Sequence, residues 1–176
     1  LVTAIFSSAV LAALLSATLN LALARRKSLE EERARLRSTF AEAFEAVVRY
    51  KEMPYAIRRR RADEPSAERV RLSEEMRAIQ AKLSYYQMWT AGESAAVGGA
   101  YATLVEQLRR IAGEACHDAW LADSISVDRQ MNIGPDLVDL NGLSEHEQAF
   151  VDATQRHLDE LLKFHRLFGR TLRKHA

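Results

Sequence analysis

Cysteine occurs once in the 176 residues, proline three times and glycine seven times, and each scarcity removes a class of protein. A lone thiol, Cys116, closes no internal disulfide, so the chain is not a disulfide-stapled secreted scaffold and fits a reducing compartment. So few prolines and glycines cannot supply the frequent turns of an all-β sandwich or barrel. A net charge of only +1 gives no long-range field toward nucleic acid, which is therefore not an expected partner. The chain also lacks a glycine-rich phosphate loop, a nucleophile elbow and paired catalytic carboxylates.

What the chain holds instead is helix formers. Beyond position 24 it is rich in Ala, Arg, Glu and Leu, and arginine outnumbers lysine 20 to 5, the mark of a high-GC coding bias. About 150 residues remain there, the size of one domain with one core. The expected fold class is all-α.

Residues 1–24, LVTAIFSSAVLAALLSATLNLALA, carry no charged side chain. As a helix they cover roughly 35 Å at about 1.5 Å per residue, against a hydrocarbon core of ~30 Å. The expectation is a single-pass transmembrane anchor in the bacterial inner membrane. Arg25, Arg26 and Lys27, followed by Arg33, Arg35 and Arg37, place the domain 25–176 in the cytoplasm and the N-terminus outside, because Lys and Arg are retained on the cytoplasmic side. Ala22-Leu23-Ala24 also fits a signal-peptidase site, but no basic region precedes the apolar run. Ala4, Ser8, Ala12 and Ser16, with Asn20 next, make a small-xxx-small stripe along which two helices approach closely. The lipid bilayer and a second copy of the chain are the partners this implies.

The rest reads as helices at about 25–61, 66–91, 94–122 and 144–173, with a loop at 123–143. Apolar residues recur three and four apart: Leu29, Leu36, Phe40, Ala43, Val47 and Tyr50 in the first, then Leu72, Met76, Ile79, Leu83, Tyr86 and Trp89. Val97, Tyr101, Leu104, Leu108, Ile111 and Ala115 mark the third, and Val151, Leu158, Leu161, Phe168 and Leu172 the last. Pro54 is expected to bend or end the first helix, and Gly98-Gly99 to weaken the start of the third. Tyr85, Tyr86 and Trp89, with Tyr50 and Tyr55, are expected to pack where the first two helices meet the third. Ser144 to Glu147 matches the capping box. The apolar residues Met131, Ile133, Leu137, Val138 and Leu140 predict a loop packed across the bundle. Four stripes of similar width give an up-and-down four-helix bundle, with a long helical hairpin as the alternative.

Arg58, Arg59, Arg60 and Arg61 are the sharpest local feature. Four adjacent cations suit phosphates or an acidic partner, while arginines at a helix C-terminus also complement the macrodipole. Glu114 and His117 have the Glu-x-x-His spacing of a di-iron bundle, but no second copy of that motif exists. His157 and His165 lack further ligands at a recognised spacing, so no metal or cofactor is expected. Arg110 to His117 and Arg170 to His175 fit a loose Arg-x(4-6)-His pattern that resembles the signature of the helical HEPN ribonucleases. Two residues in a helical setting carry no catalytic role across.

The stretches Val48 to Arg61 (VRYKEMPYAIRRRR) and Tyr85 to Ala91 resemble small uncharacterised membrane-anchored helical proteins of high-GC bacteria, a group without an assigned activity. The function expected from all of this is a membrane-anchored, non-enzymatic interaction or scaffold protein with a cytoplasmic protein partner. The alternative is a small membrane effector or RNA-processing protein of a defence or toxin system.

Overall fold

Apolar residues spaced for one helical face produce four long helices: α1 (Val2–Arg58), α2 (Pro65–Glu93), α3 (Ala95–Leu121) and α4 (Ser144–Thr171). The computed structural model describes residues 2–134 and 138–171; of these, the side chains at 2–9, 11 and 163–171 lie outside the described set. Among the described residues the only β pairing is an isolated parallel bridge between Arg61 and Ile125. The chain divides into two units, residues 39–159 and residues 1–38 with 160–176.

The unit 39–159 is an up-and-down helical bundle, and its cross-helix contacts fix the direction of every neighbour. Tyr86 donates to Glu42 at 2.8 Å, and Arg49 lies 4.0 Å from Glu75, so α2 runs antiparallel to α1. Gly98 packs on Ala91 and Arg109 reaches Ser84, so α3 reverses again. Lys51 pairs with Glu147 at 2.7 Å in a part-buried site, and Phe40 meets His157, so α4 runs antiparallel to α1. At the centre Phe150 touches Phe40, Phe44 and Tyr101. The Tyr101 hydroxyl, fully buried, donates to the Ala43 carbonyl at 3.0 Å.

Ser94 alone separates α2 from α3. It is extended, caps both helices, donates its N–H to the Thr90 carbonyl and accepts from Val97 N through its side chain. Two helices so joined cross closely, and a Cβ at Gly98 would stand 2.5 Å from the Ala91 Cα. The glycine that the sequence suggests as a weak point of α3 is therefore the residue that lets the corner form.

The stripes on α1 and α2 lie where the periodicity puts them: Leu36, Phe40, Ala43, Val47 and Tyr50 are buried, as are Leu72, Ile79, Leu83 and Tyr86. Pro54 does not end α1, which continues to Arg58 with Pro54 inside it. One lost backbone hydrogen bond is offset by burial of Met53 and Ile57 on either side. On α3 the buried face passes to Ala112, Cys116 and Ala119 instead of Ile111 and Ala115, because 3.6 residues per turn moves a stripe around a long helix. The Ser144-Glu147 capping box does not form: the Ser144 hydroxyl donates to the Asn141 carbonyl, and Glu147 takes Lys51. Of the aromatic residues, Tyr85 is exposed, and Phe150 holds the central place. In the 123–143 segment Val138 and Leu143 are buried while Met131 is exposed; Leu137 lies outside the described residues.

In the unit containing residues 1–38, the transmembrane expectation is overturned. Among the described residues no helix is long and apolar enough to cross a membrane, so the single-pass placement in an inner membrane, N-terminus out and C-terminal domain cytoplasmic, does not stand. Ser16, Thr18 and Asn20 dilute the apolar character of the uncharged run. Thr18 returns its hydroxyl to the Leu15 carbonyl at 2.9 Å. Ala12, Ser16 and Asn20 of the small-residue stripe are exposed; Ala4 and Ser8 lie outside the residues whose side chains are described. Past Lys27 the helix surface is laced by ion pairs at three- and four-residue spacing, Arg26 with Glu30, Lys27 with Glu31 and Glu32 with Arg35.

Candidate functional site at the arginine end of the bundle

Where α1 stops, the four consecutive arginines diverge. Arg60 turns onto the end of α3. Its guanidinium donates to the carbonyls of Ala119 at 2.8 Å and Trp120 at 3.3 Å, to that of Ala122, and to Ile57 of its own helix at 3.0 Å. It also lies over the Trp120 ring, 5.3 Å from the centroid. The last carbonyls of a helix have no partner within it and carry partial negative charge, so a forked cation is the chemical match for them. The backbone fixes this placement, since Ile125 N donates to Arg60 O at 2.9 Å and Ala62 N to Ile125 O at 3.1 Å.

The neighbours do different work. Arg61 grips Asp63 through two hydrogen bonds of 3.0 and 2.6 Å and lies 3.7 Å from Glu64, and this pairing holds the Asp63 carboxyl below its ordinary range. Arg59 lies against the Tyr55 ring and donates to the Met131 carbonyl at 3.4 Å. Arg58 faces a cleft. The structure therefore does not gather Arg58 to Arg61 into one cationic patch; it distributes them over four local environments.

The Arg58 cleft has a volume of about 220 Å³ and is lined by Arg58, Ile111, Glu114, Ala115, Asp118, Val138 and Asp139. Arg58 Nε is buried there without a hydrogen-bond partner, although three carboxylates share the lining. Asp139 accepts from Asn141 N at 3.0 Å. A second cleft of about 220 Å³ lies between α1, α2 and the end of α3, lined by Met53, Ile57, Leu72, Ser73, Met76, Arg77, Gln80 and Trp120. Its character is different: five apolar or aromatic side chains and three donors, with no carboxylate. Trp120 belongs to none of the helical stripes read from the sequence.

Other candidate chemistry is dispersed. Among the described residues no group of three or more His, Cys, Asp and Glu side chains could hold a metal ion. Glu114 and His117 are both exposed. His157 instead pairs with Glu93 at 3.1 Å, tying α4 to the end of α2; His165 lies outside the described side chains. Of the two Arg-x(4-6)-His pairs, Arg110 and His117 are exposed and Arg110 is held by Gln107 at 2.7 and 2.9 Å, while Arg170 and His175 lie outside the described set.

Cys116 is buried, and burial pushes its thiol up to about 11. The thiolate is the nucleophile, so at about pH 8 a folded chain presents almost none of it. Labelling by a thiol reagent is expected to be at least about 100-fold slower in the folded protein than in denaturant; with a single cysteine the signal is unambiguous, and equal rates would show that the α3 face is open.

Compared with family models, curated proteins and solved structures, the chain matches none.

Proposed function

We propose that the chain is a non-enzymatic interaction or scaffold module that self-associates through the N-terminal part of α1 and presents its helical bundle to a protein partner. The observation that carries this reading is the surface of residues 10–24. Val10, Leu14, Leu15, Leu19, Leu21 and Leu23 are each 53 to 68% exposed, and at 100° per residue they occupy more than half of the helix circumference. No charged residue interrupts them before Arg25. An uncharged helix with large aliphatic side chains on most of its circumference marks an interaction surface. The narrower face of Ala12, Ser16 and Asn20 lets a second backbone approach and offers one amide to hydrogen-bond across the pair.

Sedimentation of the full-length chain is expected to show a dimer or higher oligomer, converted to monomer by Leu15→Lys with Leu19→Lys. A wild-type chain that stays monomeric at every concentration tested would overturn the reading.

A further inference from the structure

The second cleft has the composition of a ligand site: Gln80 of its polar edge bonds the Tyr50 side chain of the bundle, while Arg77 takes no ion-pair partner among the described residues. Ser73, Arg77 and Gln80 stand at four- and three-residue spacing on α2, so they form one row along one side. Ser73, Arg77 and Gln80 are exposed. Arg77 forms no ion pair among the described residues, although most arginines nearby do: Arg71 with Glu68 and Glu75, Arg49 with Glu75. Facing that row is an apolar wall in which Met53, Ile57 and Leu72 are buried and Met76 and Trp120 are half-buried. Methionine side chains adapt to irregular apolar shapes, and an indole offers a flat face for a ring.

We infer that this cleft binds a small amphiphilic carboxylate, an aromatic or branched acid whose apolar body lies on Met53, Met76 and Trp120 and whose anionic head meets Arg77. Three features select that class. The lining carries one formal charge, and it is positive, so an anion is favoured and a cation is repelled. The guanidinium fork matches a carboxylate with two parallel donors, flanked by the Ser73 hydroxyl. Volume fits one ring: an apolar cavity of ~150 Å³ accommodates benzene, and the cleft, at about 220 Å³, takes one ring or a short branched chain with its carboxylate.

The test uses the full-length protein with 3-phenylpropionate as the probe and 3-phenylpropanol, its uncharged analogue, as the control, read by ligand-observed saturation-transfer NMR. Saturable binding of the acid at least about tenfold tighter than that of the alcohol is expected, with Arg77→Gln removing the difference. Arg77 is exposed and outside the core, so that variant is expected to retain the wild-type melting curve. Met76→Trp, which fills the cleft from its own lining, is expected to abolish binding of both probes. Equal binding of acid and alcohol, an unchanged affinity in Arg77→Gln, or no saturable binding of the acid would each overturn the proposal. Because the probes bind the bundle and not residues 10–24, failure here leaves the oligomerisation reading intact, and a monomeric chain that binds the acid leaves this one intact.

Discussion

Replacing Gly98 by alanine is expected to destabilise the bundle by about 3 kcal/mol, while the same change at the next residue, Gly99, stabilises it by roughly 0.5 to 1 kcal/mol. The two glycines are adjacent on one helix and differ only in what a methyl group would meet. At Gly98 it would lie 2.5 Å from the Ala91 Cα and 2.8 Å from the Ala91 nitrogen, both backbone atoms of α2 that no rotamer change can remove. Relief requires α2 and α3 to separate at the corner, which breaks the contacts of the buried Val97 and Thr90 beside it. At Gly99 the methyl meets nothing within 4 Å, so only the lower helical propensity of glycine is left to act. Urea denaturation of the pair measures both signs at once. Two shifts in the same direction would mean that the α2/α3 approach is wider than described.

The second large effect is at Arg60. Alanine there is expected to cost about 3 kcal/mol, because three carbonyls at the end of α3 lose a charged donor and the Trp120 ring loses its cation; hydrogen bonds to charged groups contribute roughly 1.5 to 3 kcal/mol each and do not add. Water replaces part of the loss at a half-buried site, which keeps the total well below the sum. Arg60→Lys retains the charge but not the fork, and is expected to recover about half. Alanine at the exposed Arg59, with one long hydrogen bond, is expected to change stability by less than about 0.5 kcal/mol. Equal effects at positions 59 and 60 would show that the cluster acts through its charge alone.

That contrast also explains why the arginine run was legible as a feature and illegible as a site. Four identical side chains in a row look like one patch in the sequence. On a chain that leaves a helix and reverses, successive residues point in unrelated directions, and the partners that claim them, the Ala119 and Trp120 carbonyls, Asp63 and the Tyr55 ring, are set by tertiary structure. The helices were easier. Leu36 to Tyr50 and Leu72 to Tyr86 repeat at the period of the helix itself, and burial follows the period. Phe150 escaped because its helix was read from Val151, one residue out of phase with the buried Phe150, Thr154 and Leu158, of which only Leu158 was on the stripe read from the sequence. The second cleft could not be read at all, since Met53, Met76 and Trp120 come from three helices and each alone is an ordinary core residue.

The uncharged run at the N-terminus shows the limit of a composition argument. Twenty-four residues without charge read as a membrane span, whereas among the described residues no helix is long and apolar enough to cross a membrane, and the run contains polar side chains at Ser16, Thr18 and Asn20. What survives is its exposed aliphatic surface, Val10, Leu14, Leu15, Leu19, Leu21 and Leu23.

Ser94 ends one helix and begins the next with no residue between them. Helix ends ordinarily fray independently, because their outermost backbone groups have no partner in the helix. Here the Ser94 amide completes the last turn of α2 while the Ser94 carbonyl takes the Gly98 amide of α3 at 2.8 Å, so neither end can open without disturbing the other. The last turn of α2 and the first turn of α3 are therefore expected to open together and not separately.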